Sequence, residues 1–119
     1  MAAPNIVNVT TIIGKTAVQQ VTTSATAIVT NSSGSNKVFK INALYVANVD
    51  GTNAADISVA LHRSSVSYEI AHTVLVPADA TLSVVDKTNT FYLMENQSII
   101  GGASANSDLE CVISYEDIS

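Results

Sequence analysis

Apolar and polar residues alternate along most of this chain with the two-residue period of strands that bury one face. The run Ile57-Ser58-Val59-Ala60-Leu61-His62 puts Ile57, Val59 and Leu61 on one side. Near the end of the chain, Leu109, Cys111, Ile113 and Tyr115 share a face, opposed by Glu110, Ser114 and Glu116. The stretch from Val38 to Val49 reads differently. Phe39, Ile41, Ala43, Tyr45 and Ala47 line one side, while Leu44 and Val46 join Lys40, Asn42 and Asn48 on the other. Apolar groups on both faces predict a strand central in a sandwich or covered by a neighbouring subunit.

Turn signals separate these runs at regular intervals. Asn31-Ser32-Ser33-Gly34-Ser35-Asn36 predicts a flexible loop. Asp50-Gly51-Thr52-Asn53 predicts a tight turn in which Gly51 supplies a positive φ. Pro77-Ala78-Asp79 ends a strand that begins near Tyr68, and Lys87-Thr88-Asn89, Glu95-Asn96-Gln97 and Ala105-Asn106-Ser107 mark further turns. Short alternating runs at this spacing predict an all-β fold, an antiparallel β-sandwich of jelly-roll-like form with about eight strands. Their expected positions are 9–21, 24–30, 37–48, 55–62, 67–76, 81–86, 90–93 with 98–104, and 108–116. No stretch sustains a helical period, and Ala54-Ala55 is too short to nucleate a helix. The expected organisation is an N-terminal arm over 1–8 and a single β-sandwich domain over 9–119.

Composition changes this picture in one respect, the surface. Hydrophobic residues make up 47% of the 119, but aromatics only 5% with no Trp, so the core must come from Val, Ile, Leu and Ala. Charged residues are 13%, against ~25% in an ordinary soluble domain. Ser, Thr and Asn take their place, and neutral hydroxyls and amides are far cheaper to desolvate than ions. A charge-poor surface of this kind predicts burial in an assembly, including contacts between copies of the chain. The net charge is −5 and the five basic residues are scattered, which argues against nucleic acid as a partner. No apolar run approaches the ~20 residues of a membrane-spanning helix, and the opening Met1-Ala2-Ala3-Pro4-Asn5 lacks the features of a signal peptide. The lone cysteine, Cys111, has no partner for an intrachain disulfide, as expected of synthesis in a reducing cytoplasm.

Candidate chemistry is sparse. Gly14-Lys15-Thr16 resembles the end of a phosphate-binding loop, but Val9 stands where the earlier glycine belongs and the following residues read as strand. A glycine kink or bulge in the first strand accounts for it better. His62 and His72 lie on neighbouring expected strands without the further ligands a metal needs. Asn48, Asp50, Thr52, Asn53 and Asp56 form an oxygen-rich loop that lacks the spacing of a calcium site and suits an ordinary turn. Asp108, Glu116 and Asp117 gather towards the C-terminus without a partnered histidine, and no serine sits in a nucleophile elbow. The expectation is therefore no catalytic residue, no cofactor and no metal.

Three segments carry a resemblance. Val38-Phe39-Lys40-Ile41-Asn42-Ala43-Leu44-Tyr45-Val46-Ala47-Asn48-Val49-Asp50-Gly51-Thr52, Leu75-Val76-Pro77-Ala78-Asp79-Ala80-Thr81-Leu82 and Ala103-Ser104-Ala105-Asn106-Ser107-Asp108-Leu109-Glu110 resemble small virion structural proteins of tailed bacteriophages, particularly cyanophage-like myoviruses. The likeness spans roughly 10–118 and departs at Ile99-Ile100-Gly101-Gly102, where a more polar strand is expected. It implies a β-sandwich present in many copies on a virion and made in a host bacterial cytoplasm, with other virion proteins as partners. A capsid decoration or cement protein is the leading reading. A neck, tail or baseplate ring component and a receptor- or glycan-binding module follow, although Tyr45, Tyr68, Tyr92 and Tyr115 are dispersed in the sequence. Surplus apolarity nominates Ile6, Val7 and Val9 of the arm, Leu44 and Val46, and Ile99 and Ile100 as interface residues.

Overall fold

The computed structural model describes residues 4–119, in which nine strands form two antiparallel sheets. They are β1 Ile12–Val21, β2 Thr26–Asn31, β3 Val38–Asn48, β4 Ala55–Arg63, β5 Val66–Val76, β6 Thr81–Val85, β7 Phe91–Leu93, β8 Gln97–Ala103 and β9 Leu109–Ile118. One sheet runs β1-β9-β3-β6, with β7 also paired to β3, and the other runs β2-β8-β4-β5. The pairing is nested, β1 with β9, β2 with β8, β3 with β6 and β7, and β4 with β5, which is the wiring of a jelly roll. The expected strand over 90–93 with 98–104 is in fact two. Asn96 turns the chain in the left-handed region (φ 62°), so that β7 joins β3 while β8 crosses to the other sheet.

The core lies between the sheets, built from inward positions such as Val21, Ile41, Leu44, Ile57, Val59, Leu93, Ile99, Leu109, Cys111 and Ile113. The alternations read in β4 and β9 hold, with Ile57 and Val59 opposite Gly101 and its neighbours, and Leu109, Cys111 and Ile113 all inward. In β3 the alternation breaks. Ile41 pairs with Tyr115 and Ala43 with Ser114, so Asn42 is an extra residue bulged out of the ladder. Phe39 and Ile41 face the core before the bulge, and Leu44, Val46 and Asn48 face it after. The sequence's apolar residues on both faces are thus largely one inward face with a shifted phase, and after the bulge Ala43, Tyr45 and Ala47 turn outward.

Other local expectations need correction. β1 pairs with β9 without a register shift from Ile12 to Val21, so Gly14 marks neither kink nor bulge. Gly51 does not adopt a positive φ; the turn is held instead by the Asp50 carboxylate, which accepts the Thr52 and Asn53 amides at 2.8 and 3.2 Å. The tightest hairpin contains no glycine. Ser64 and Ser65 (φ 51° and 64°) join β4 to β5 with the twist that a two-residue turn requires. Of the arm expected over 1–8, residues 1–3 lie outside the described residues; Asn5 to Asn8 form a turn, and Thr10 and Thr11 donate to the Ser119 carbonyl.

Two buried asparagines tie loops to the sandwich. Asn31 Nδ2 donates to the Lys37 and Leu93 carbonyls at 2.9 and 3.0 Å. Asn48 Nδ2 donates to the Asn53 and Val76 carbonyls at 3.0 Å each, while its Oδ1 accepts the Asp50 amide at 2.9 Å. A buried amide satisfied on both ends fixes loop position far better than apolar contact alone.

Candidate interaction surface

The polar residues singled out in the sequence are occupied with structure. Lys15 lies on β1 with its Nζ donating to Asp117, and no helix follows it as a phosphate-binding loop requires. His62 shares a hydrogen bond with Ser67 and His72 with Glu69, so each histidine is engaged on its own side of the β4–β5 hairpin. Asp50 and Asp108 sit together at one end of the sandwich, where Val49 donates to the Asp108 carbonyl. Hydrogen bonds from the Thr52 and Asn53 amides hold the Asp50 carboxyl below the usual range, while desolvation and then the Asp50 charge push Asp108 up. Asp117 is at the opposite end, and Glu116 accepts from Asn42. Among the described residues no three His, Cys, Asp or Glu side chains converge as a metal site. Cys111 is fully buried on β9, and desolvation pushes its thiol up to about 12.

The seven nominated interface residues divide sharply. Leu44, Val46 and Ile99 are fully buried in the chain's own core, because the β3 bulge and the inward phase of β8 point them there. They offer no surface to a partner. Ile100 points the other way, half-buried in a shallow hollow with Ser58, Ala60 and Gly102. Val9 is half-buried, Ile6 is exposed and Val7 is 90% exposed.

What the sequence did not reveal is where the sheets end. β1 is an edge strand and carries Ile12, Ile13 and Val18 in solvent, Val18 at 72%. β5 is the edge of the other sheet. Ser58 on β4 faces both His72 and Thr73, and Ile70 is a further unpaired residue, so β5 is bulged twice. Thr73 takes a positive φ of 46°, a strained choice for a β-branched residue, and its amide is held by Ser58 Oγ at 2.9 Å.

Next to β5 the sandwich gapes. Tyr68 pairs with Leu61 and so points towards the opposing sheet, yet that sheet ends in the short β6 and β7. The uncovered space is a groove of about 310 Å³ lined by Leu61, Tyr68, Ile70, Val85, Phe91 and Tyr92. Folding therefore gathers Tyr68 and Tyr92, which the sequence leaves apart. Two polar side chains at its margin are engaged elsewhere, Glu69 with His72 and Asn89 with the Asp86 amide and the Val84 carbonyl.

No family model matches the chain, and no curated protein sequence matches it. Solved structures do match in fold. A chain of the acidic stable capsid structure of the Helicobacter pylori bacteriophage KHP30 superposes with a TM-score of 0.55 at 9% identity, covering 94% of this chain and 90% of that one. A chain from Bacillus endospore appendages, described as disulfide-linked pili, superposes with a TM-score of 0.53 at 12% identity, over 92% of this chain and 88% of that one. At such identities the likeness establishes a shared all-β architecture, one found in a phage capsid structure and in a pilus.

Proposed function

We propose that this chain is a non-enzymatic structural protein of a phage virion, a decoration or cement protein that staples neighbouring shell subunits. The observation that carries this reading is the exposed apolar perimeter of the jelly roll. Ile12, Ile13 and Val18 are exposed along the edge strand β1 with Ile6 and Val7 exposed in the segment leading to it, and Tyr68, Ile70, Val74 and Leu75 are exposed along the edge strand β5. Apolar groups concentrated like this mark interaction surfaces, whereas singly scattered ones mean little. The perimeter replaces the buried Leu44, Val46 and Ile99 as contact surface, and the arm residues Ile6, Val7 and Val9 and the outward Ile100 complete it. The likeness in fold to a chain of a phage capsid structure supports the reading, as does the resemblance in the sequence to virion proteins. Partners on this reading are other virion proteins, a major capsid protein first and neck or tail proteins second, together with copies of the chain itself.

The test is cryo-EM of the particle that carries the chain, locating it and counting its copies. Density bridging shell subunits is expected; density solely in the neck, tail or baseplate replaces decoration with a ring component. A receptor- or glycan-binding module is a second reading, favoured by the Tyr68–Phe91–Tyr92 groove. The engagement of Glu69 and Asn89 with their own chain counts against it, since it leaves few free polar groups beyond the tyrosine hydroxyls for sugar recognition. Glycan-array binding that is lost in Tyr92→Ala would bring it forward.

A further inference from the structure

We infer, resting on the structural-protein reading above, that two copies of this chain pair through β1, edge to edge and antiparallel, about a two-fold axis at Thr16. An edge strand presents a row of unpaired backbone donors and acceptors, and proteins that stay monomeric guard such edges with bulges, proline, outward charge or short length. The sandwich has four flanks to compare. β5 is guarded by two bulges and the strained Thr73. β2 is six residues long with a register shift between Ala27 and Val29, and β6 and β7 are five and three residues long. β1 has none of these devices. It is ten residues long, regular throughout its pairing with β9, free of proline, and apolar at Ile12, Ile13 and Val18.

Its one charge does not guard it either. Lys15 Nζ is turned back to Asp117 at 2.8 Å. A long regular strand needs a long regular partner to satisfy its ladder, and among the described edges of this chain that partner is β1 itself. Pairing like with like gives an isologous two-fold contact.

The side chains select the register. Residues directly opposite in an antiparallel pair share a face, and like charges placed opposite one another destabilise it. A two-fold axis at Lys15 sets two ammonium groups against each other. An axis at Thr16 sets Lys15 against Ala17 of the second copy and Val18 against Gly14. Gly14 is the one place on this strand where a side chain is missing, and nothing lies within 4 Å of where its Cβ would be. The Val18 side chain, now in solvent, fills that gap twice across the axis. The overlap runs from Ile12 to Gln20, a ladder of roughly 30 Å at ~3.4 Å per residue.

Sedimentation equilibrium of the full chain tests this, with Val18→Lys, Thr16→Cys and Ser67→Cys as variants. The expected result is a dimer that Val18→Lys weakens at least tenfold without moving the thermal midpoint of dilute protein. Thr16→Cys is expected to oxidise to a disulfide-linked dimer at least tenfold faster than the β5 variant Ser67→Cys. A monomer at millimolar concentration, a dimer indifferent to Val18→Lys, or equal cross-linking at both cysteines overturns the β1 pairing. The wider reading is scored separately, by incorporation of the chain into particles. Incorporation without a β1 dimer sinks only the pairing, and neither dimer nor incorporation sinks both.

Discussion

Lys15 on the edge strand β1 and Asp117 on β9 are joined by a 2.8 Å ion pair, and Lys37, just ahead of β3, reaches the same Asp117 oxygen at 3.2 Å. One buried carboxylate thus ties together three adjacent strands at the end of the sandwich where Thr10 and Thr11 meet Ser119. Desolvation opposes the Asp117 charge, but hydrogen bonds from the two lysines outweigh it and hold the carboxyl below its usual range. A depressed carboxyl contributes stability that is complete above the unfolded pKa of about 4 and is lost as pH falls through the folded value. Asp108 acts with the opposite sign, since its raised carboxyl makes the folded state bind a proton more tightly. The expected outcome at pH 7 is that Asp117→Asn destabilises by about 1–2 kcal/mol, discounted because both lysines are partly solvated. Asp108→Asn raises the melting temperature at the same pH. Thermal melts from pH 7 down to pH 3 check both: each variant's offset from the parent should shrink as the carboxylates protonate.

The bulge at Asn42 makes a prediction that simple alternation reverses. Strict alternation groups Tyr45 with Phe39 and Ile41 on the core side, yet Leu44 is fully buried and Tyr45 is 42% exposed. Leu44→Ala is expected to cost about 2–5 kcal/mol as a cavity in the core. Tyr45→Ala is expected to cost under about 1 kcal/mol as a change at a partly solvated site. Urea unfolding of the two variants settles the phase of β3, and equal losses would place the bulge elsewhere.

That strand also shows where the sequence is readable. β4 and β9 carry their inward sets in plain alternation because the bulges beside them fall on their partners β5 and β3, so neither β4 nor β9 itself holds an extra residue. A bulge shifts the phase by one residue and leaves little trace in the sequence, for Asn42-Ala43 holds neither glycine nor proline. The turn at Asn96 was legible, but assigning the strands on its two sides to different sheets was not, because sheet membership is a long-range property. The same limit hid the candidate surface. Whether Val18 or Tyr68 ends in solvent depends on which strand, if any, lies beyond β1 or opposite β5, and local pattern carries no record of that. Hence the nominated residues mixed true surface, such as Val7, with core, such as Leu44 and Ile99.

The two buried asparagines should behave alike. Each donates to two backbone carbonyls from different segments, so truncation leaves acceptors without donors inside the fold. Asn31→Ala and Asn48→Ala are each expected to destabilise by about 1–3 kcal/mol. Native-state hydrogen exchange should show faster opening local to each site, at Lys37 and Leu93 for the first and at Asn53 and Val76 for the second. Uniform loss of protection over the whole sandwich would mean that the asparagines support the core and not their loops.

The Cys111 thiol gives a direct reading of the core. It sits between Leu109 and Ile113 on β9, fully buried, and desolvation pushes its pKa up to about 12 from an ordinary value near 9. Only the thiolate reacts, so at pH 8 the reactive fraction falls roughly a thousandfold from the pKa alone, before any barrier to access is counted. Labelling with a disulfide reagent is therefore expected to be negligible in the native protein and complete in denaturant. Between those limits its rate should follow the unfolding equilibrium, which makes Cys111 a probe of core opening that needs no added label. The engineered Ser67→Cys thiol, exposed on β5, provides the comparison within the same chain. If Cys111 in the native protein reacts within tenfold of that exposed thiol, β9 opens far more readily than a central strand paired on both sides with β1 and β3 should.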